Sequence, residues 1–116
     1  MLLLEEIIAV SDEDLEIVSD LVAGFSDDKN FVVKLETDEY GVRCRSRRKV
    51  WAIVEKEDAL MLADYLKVKL TALPLEFQKR FGDSSGSLAN SYVEAEFKEI
   101  LDFILDCGVH YQLVTK

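Results

Sequence analysis

The chain has a single histidine, His110, so a Ser–His or Cys–His pair must run through that residue or not exist. Cys107, three positions earlier, falls where an amphipathic C-terminal run ends. The negative end of a helix dipole there raises a thiol pKa instead of activating the sulfur. Asp106, Cys107 and His110 together offer three mixed metal ligands but no second paired element, so no metal site is expected. Carboxylates are abundant, yet none is set apart with a partner in apolar sequence that would lift one pKa for acid–base work. The stretch DSSGSLANS, Asp83 to Ser91, is rich in small residues and reads as a mobile loop. It lacks the lysine and the spacing of a phosphate-binding loop. These residues predict no catalysis and no cofactor.

Cys44 and Cys107 are far apart and share no spacing motif, which fits free buried thiols in a reducing cytoplasm; a Cys44–Cys107 disulfide is the alternative. The opening MLLLEEIIAV lacks a basic leader, and Glu5 and Glu6 interrupt an apolar run too short to span a bilayer. The sequence therefore predicts a cytoplasmic protein with no membrane partner. With 116 residues, 49% of them hydrophobic, and one proline, residues 1–116 read as one packed domain that needs no staple.

Charge is more informative than motif. Residues 1–39 carry a net charge of −10, residues 40–49 carry +5, residues 50–82 balance, and residues 83–116 carry −4, giving −9 for the chain. Asp12, Glu16 and Asp20 recur at i, i+4, i+8, and Glu99, Asp102 and Asp106 form a similar stripe. On helices such like-charge neighbours repel by about 0.2–0.5 kcal/mol per pair, and Asp106 would also meet the unfavourable end of the helix dipole. Arg43, Arg45, Arg47, Arg48 and Lys49, beside Tyr40 and Trp51, form a basic segment able to grip phosphates and stack a base. The plainer account is that these cations pair with Glu36 and Glu39 across a turn and keep an edge strand from aggregating.

The elements that must position these groups follow from periodicity. Phe31 to Thr37, Tyr40 to Ser46 and Lys49 to Glu55 alternate with period two and read as three short strands, with turns at Asp38-Glu39 and at Ser46 to Lys49. Phe31, Val33 and Leu35 share one face of the first strand; Tyr40, Val42 and Cys44 point inward on the second. Both faces of the third are apolar, so Trp51 and Ile53 are either covered or meet a partner. Residues 1–10 fit a strand or a helical turn equally well. Ser11 to Asp14 resembles a capping box opening a helix with Leu15, Val18, Leu21 and Val22 inward and Gly24 as its stop. A second helix runs from Glu57-Asp58 to Pro74, and a third covers LEFQKRF up to Gly82. The last begins at Ser91, buries Val93, Phe97, Ile100, Leu101 and Ile104, and stops at Gly108 before a terminal strand, Val109 to Val114.

The expected fold is α+β: a three-stranded antiparallel meander plus a C-terminal strand, with three to four helices packed on one face. The expected function is a non-catalytic acidic binding protein of inhibitor, immunity or adaptor type. Asp12, Glu16, Asp20, Glu99, Asp102 and Asp106 would occupy a basic surface on a protein partner. In its strongest form it is a DNA mimic, as a phage or mobile-element inhibitor would be. Two alternatives stand beside it: a homodimer through Trp51 and Ile53 or through the N-terminal Leu/Ile run, and anion binding by Arg43, Arg45, Arg47, Arg48, Lys49 and Trp51. Direct nucleic-acid binding is disfavoured because a −9 chain is repelled by phosphates at long range.

Overall fold

Period-two alternation extends further along the chain than the three short segments suggest. The structure, a computed structural model, describes residues 3–10, 17–40, 45–81 and 90–115. It contains β1 (Leu3–Val10), β2 (Ile17–Phe25), β3 (Phe31–Tyr40) and β4 (Arg45–Val54), then α1 (Lys56–Leu66), a 3₁₀ turn (Leu70–Ala72), α2 (Leu73–Phe81), α3 (Asn90–Asp106) and β5 (Gln112–Thr115). The five strands form one antiparallel sheet in the order β1-β2-β3-β4-β5. The α+β class, the meander and the C-terminal strand are as expected; the number and bounds of the strands are not.

Two corrections follow. The expected first helix is β2 from Ile17 onward. Its helical spacing was coincidental: Leu21, Ala23 and Phe25 bury one face at period two, and β-branched Ile17, Val18 and Val22 suit a pleated strand. Gly24 is not a stop but pairs with Val32 inside the ladder. The capping-box residues Ser11 to Asp14, with Asp12 and Glu16, lie outside the described residues, and Asp20 sits on a strand.

The second correction concerns the hairpin. Asp38 and Glu39 make no turn; β3 continues to Tyr40, which pairs with Arg45, and ten residue pairs run unbroken from there to Phe31↔Val54. Of the expected strand from Tyr40 to Ser46, Tyr40 belongs to β3 and Arg45 and Ser46 to β4, while Val42, Arg43 and Cys44 fall outside the described residues. The register explains the longer ladder. It sets Glu36 opposite Lys49, whose Nζ lies 3.8 Å from Glu36 Oε1, so opposite charges support pairing where a turn was expected.

All three helices cover one sheet face. Ile8, Leu21, Phe31, Val33, Leu35, Ala52 and Val54 from the strands join Leu62, Leu73, Phe77, Val93, Phe97, Ile100 and Ile104 in one buried cluster. Phe77 of α2 is its hub, with ring centroids 5.1 Å from Phe31, 5.8 Å from Phe81 and 5.8 Å from Phe103. Burying each such ring contributes roughly 1.5–3 kcal/mol. The expected inward face of α3 is the observed one.

The expected helix from Glu57 to Pro74 is divided. α1 ends in a Schellman turn, with Val68 N–H donating to Ala63 O at 3.0 Å and Lys67 N–H to Asp64 O at 3.1 Å. Lys67 therefore takes φ 59°. α3 ends the same way on Gly108 at φ 78°, with Val109 N–H to Ile104 O at 3.2 Å and Gly108 N–H to Leu105 O at 2.9 Å. Pro74 sits in the first turn of α2, where its missing N–H costs nothing.

Lys67→Gly should raise unfolding free energy by about 0.5–1 kcal/mol, because glycine adopts the left-handed region without strain. Gly108→Ala should lower it by about 1–2 kcal/mol for backbone reasons alone, since an added Cβ would meet nothing within 4 Å. Urea midpoints at unchanged m-value measure both; equal shifts of one sign would contradict the assignment.

Candidate binding surface on the uncovered sheet face

Because side chains alternate along a strand, covering one face with helices leaves the other to solvent. On that face the rungs read Val22–Lys34–Trp51–Val114, Gly24–Val32–Ile53–Gln112 and Asp20–Glu36–Lys49. Ile7 of β1 extends the first rung opposite Val22 and is 57% exposed. Val32 is fully buried although outside the helix-covered core. Gly24, opposite it, has no side chain, so the screening comes from Ile53 and, diagonally, from half-buried Trp51. The Lys34 ammonium lies 6.0 Å from the centroid of the Trp51 ring.

Beside this apolar patch is a hollow of about 380 Å³ lined by Glu5, Ile7, Asp20, Val22, Lys34 and Glu36. Lys34 Nζ is 3.3 Å from Glu36 Oε1 and 3.7 Å from Glu5 Oε1. Lys49 Nζ approaches the same Glu36 oxygen at 3.8 Å. The Lys34 side chain is only 13% exposed, so water screens this network less than an ordinary surface pair. Asp20 stands directly opposite Glu36 in the ladder. Three carboxylates and the Lys34 ammonium thus line the hollow with Ile7 and Val22, and Lys49 reaches Glu36 from beside it.

The other expected residues are dispersed. Glu99, Asp102 and Asp106 are all exposed on α3, on the helix side of the sheet, and among the described residues no ion pair within 4.0 Å reaches them. The basic segment is divided by strand alternation. Lys49 serves Glu36 on the open face, whereas Arg48, opposite Thr37, lines a separate hollow of about 270 Å³ with Glu94, Phe97 and Lys98. The backbones of Arg45 and Arg47 lie opposite Tyr40 and Asp38. Glu5, Lys34 and Glu36 were missed by sequence reading; the signal was the period-two spacing of Lys34 and Glu36, which puts both on the face away from Phe31, Val33 and Leu35.

His110 is exposed between α3 and β5, and the Cys107 thiol is free and half-buried. Burial pushes the thiol pKa up and neighbouring Asp106 adds to it, while Arg80 pulls the other way. Among the described residues no three of the His, Cys, Asp and Glu side chains are grouped to hold a metal ion. No described helix is long and apolar enough to cross a membrane. Compared with protein-family models, curated proteins and solved structures, the chain matches none.

Two outcomes test this description. Lys34→Met should destabilise the fold by about 1–2 kcal/mol at low salt, and adding Glu36→Gln should restore part of that loss. A double variant no more stable than Lys34→Met alone would show that Lys34 does not hold these carboxylates together. In a Cys44→Ser background, the pH profile of iodoacetamide alkylation should place the Cys107 midpoint above that of an unperturbed thiol. Asp106→Asn should lower that midpoint and Arg80→Gln raise it; the opposite order would contradict the stated causes.

Proposed function

We propose that this chain is a non-catalytic acidic binding protein, of inhibitor, immunity or adaptor type, that occupies a basic surface on a protein partner. The hollow bounded by Glu5, Asp20 and Glu36 would receive a lysine or arginine side chain of that partner, its aliphatic stem resting on Ile7 and Val22. The observation that carries this is the convergence of Glu5, Asp20 and Glu36, from three strands, on one hollow of the open face, with Glu5 and Glu36 joined through Lys34. Carboxylates gathered there attract an external cation, and the net charge of −9 steers basic partners toward it. Among the described residues of the expected acidic set, Asp20 lines the hollow. The exposed stripe of Glu99, Asp102 and Asp106 would act at longer range, through the on-rate. Imitation of nucleic-acid charge remains the strongest form of this proposal.

A second reading has its own observation: Ile7, Trp51, Ile53 and Val114 adjoin the hollow on the same open face, an apolar patch suited to a symmetric dimer. Light scattering at micromolar concentration separates the two, since a monomer removes it.

Titration with an octa-arginine peptide, followed by amide chemical shifts, should perturb Glu5, Asp20, Lys34 and Glu36 first. Asp20→Lys and Glu36→Lys should each weaken binding at low salt about tenfold, and partner capture from the native host should fail with the double variant. Peptide binding and partner capture that survive both reversals would reject the proposal.

A further inference from the structure

At the end of the sheet where β1 begins, a groove of about 530 Å³ opens among Leu3, Leu4, Phe25 and Leu70, with Lys29, Lys56 and Thr71 beside them. The volume lies within the usual range of small-molecule sites. We propose that this groove binds a monomeric medium-chain fatty acid, the acyl chain lying on the leucines and Phe25 and the carboxylate held by Lys29 and Lys56.

The first argument is backbone strain. Adjacent residues of a regular strand point to opposite faces, yet Leu3 and Leu4 both line this groove. Leu4 manages it by adopting φ 52°, at a bulge where the register slips between Leu3↔Phe25 and Glu6↔Ala23. A leucine in the left-handed region is disfavoured, and such strain concentrates where a ligand is gripped. Lys29 and Lys67 are also left-handed, at φ 67° and 59°, but Lys29 closes the β2–β3 turn and Lys67 a helix end, which leaves Leu4 as the described non-glycine residue whose positive φ neither explains. Leu3 and Leu4 stay 52% and 56% exposed, apolar surface that no described element covers.

The second argument is charge. In a chain of net −9, the charged side chains on the groove among the described residues are two lysines. Their backbones are tied to one turn: Ser26 N–H donates to Asn30 O and Lys29 N–H to Ser26 O, both at 2.9 Å, while Lys56 N–H donates to Asn30 Oδ1 at 3.1 Å. An apolar wall with paired cations beside it complements one end each of an anionic amphiphile. Glu55 and Glu57 line a neighbouring hollow with Lys56, so Lys29 should contribute the larger share of head-group binding.

The test uses the full chain with decanoate below its micelle concentration, against decanol and decyltrimethylammonium as neutral and cationic controls. Decanoate should perturb the amides of Leu3, Leu4, Phe25, Lys29, Lys56 and Leu70 saturably and bind at least about fivefold more tightly than decanol. Lys29→Gln with Lys56→Gln should bring decanoate down to the decanol value and leave decanol unchanged. Leu4→Gly should weaken both while raising the unfolding midpoint, which separates loss of the wall from loss of the fold. Equal binding of all three amphiphiles, shifts confined to the open sheet face, or co-sedimentation with phosphatidylglycerol vesicles without decanoate binding would each overturn the proposal. Because this groove shares no lining residue with the Glu5–Asp20–Glu36 hollow, either proposal can fail without the other.

Discussion

A sheet covered by helices on one face only must satisfy two environments through the same backbone, and most of this molecule follows from that constraint. Every strand residue belongs to the packed side or the wet side, with no intermediate choice, because the side-chain period is two. The packed side is filled conventionally by Leu, Val, Ile and Phe. The wet side is not simply polar: Val22 and Val32 are buried there with no helix above them, screened by tall neighbours. Charge and apolar surface therefore lie side by side on one face.

The packed side owes its coherence to aromatic contacts that bridge elements distant in the chain. Phe25 and Phe31 face each other across β2 and β3, Phe31 meets Phe77 of α2, and Phe77 and Phe81 meet Phe103 of α3. Arg80 lies over Phe103 at 5.6 Å and is held by Glu76 at 2.9 Å, so the aromatic column ends in an ion pair where it reaches water. Gln78 of the same helix donates to Ile7 O at 3.0 Å. That bond occupies a carbonyl on the outer edge of β1 and blunts an edge otherwise open to further strands.

Electrostatics here is local bookkeeping more than a global field. Glu5, Lys34, Glu36 and Lys49 form a chain of contacts across three strands, so the basic residues of β4 are partly consumed by the acids of β3. Glu99, Asp102 and Asp106 of α3 have no such ion-pair counterpart among the described residues and stay on the far side of the sheet. The molecule thus carries two acidic regions of different character. One is concave and partly neutralised; the other is convex and open.

Sequence alone determined what short-range periodicity encodes. The inward stripe of α3 from Val93 to Ile104, the glycine end at Gly108, the start of α2 at Pro74, the terminal strand and the α+β class were all legible, because each depends on residues within two helical turns of one another. Tertiary structure decided β2, the hairpin register and the composition of both candidate sites. Residues 15–22 satisfy a helical template and a strand template together, and only the free edges of β1 and β3 on either side of β2 choose between them. Glu5, Asp20 and Glu36 come from three separate strands, and Leu3 and Leu70, far apart in the chain, line one groove. No local rule brings them together: that proximity follows from hydrogen-bond register and from a bulge at Leu4, both settled only when the sheet closes against the helices.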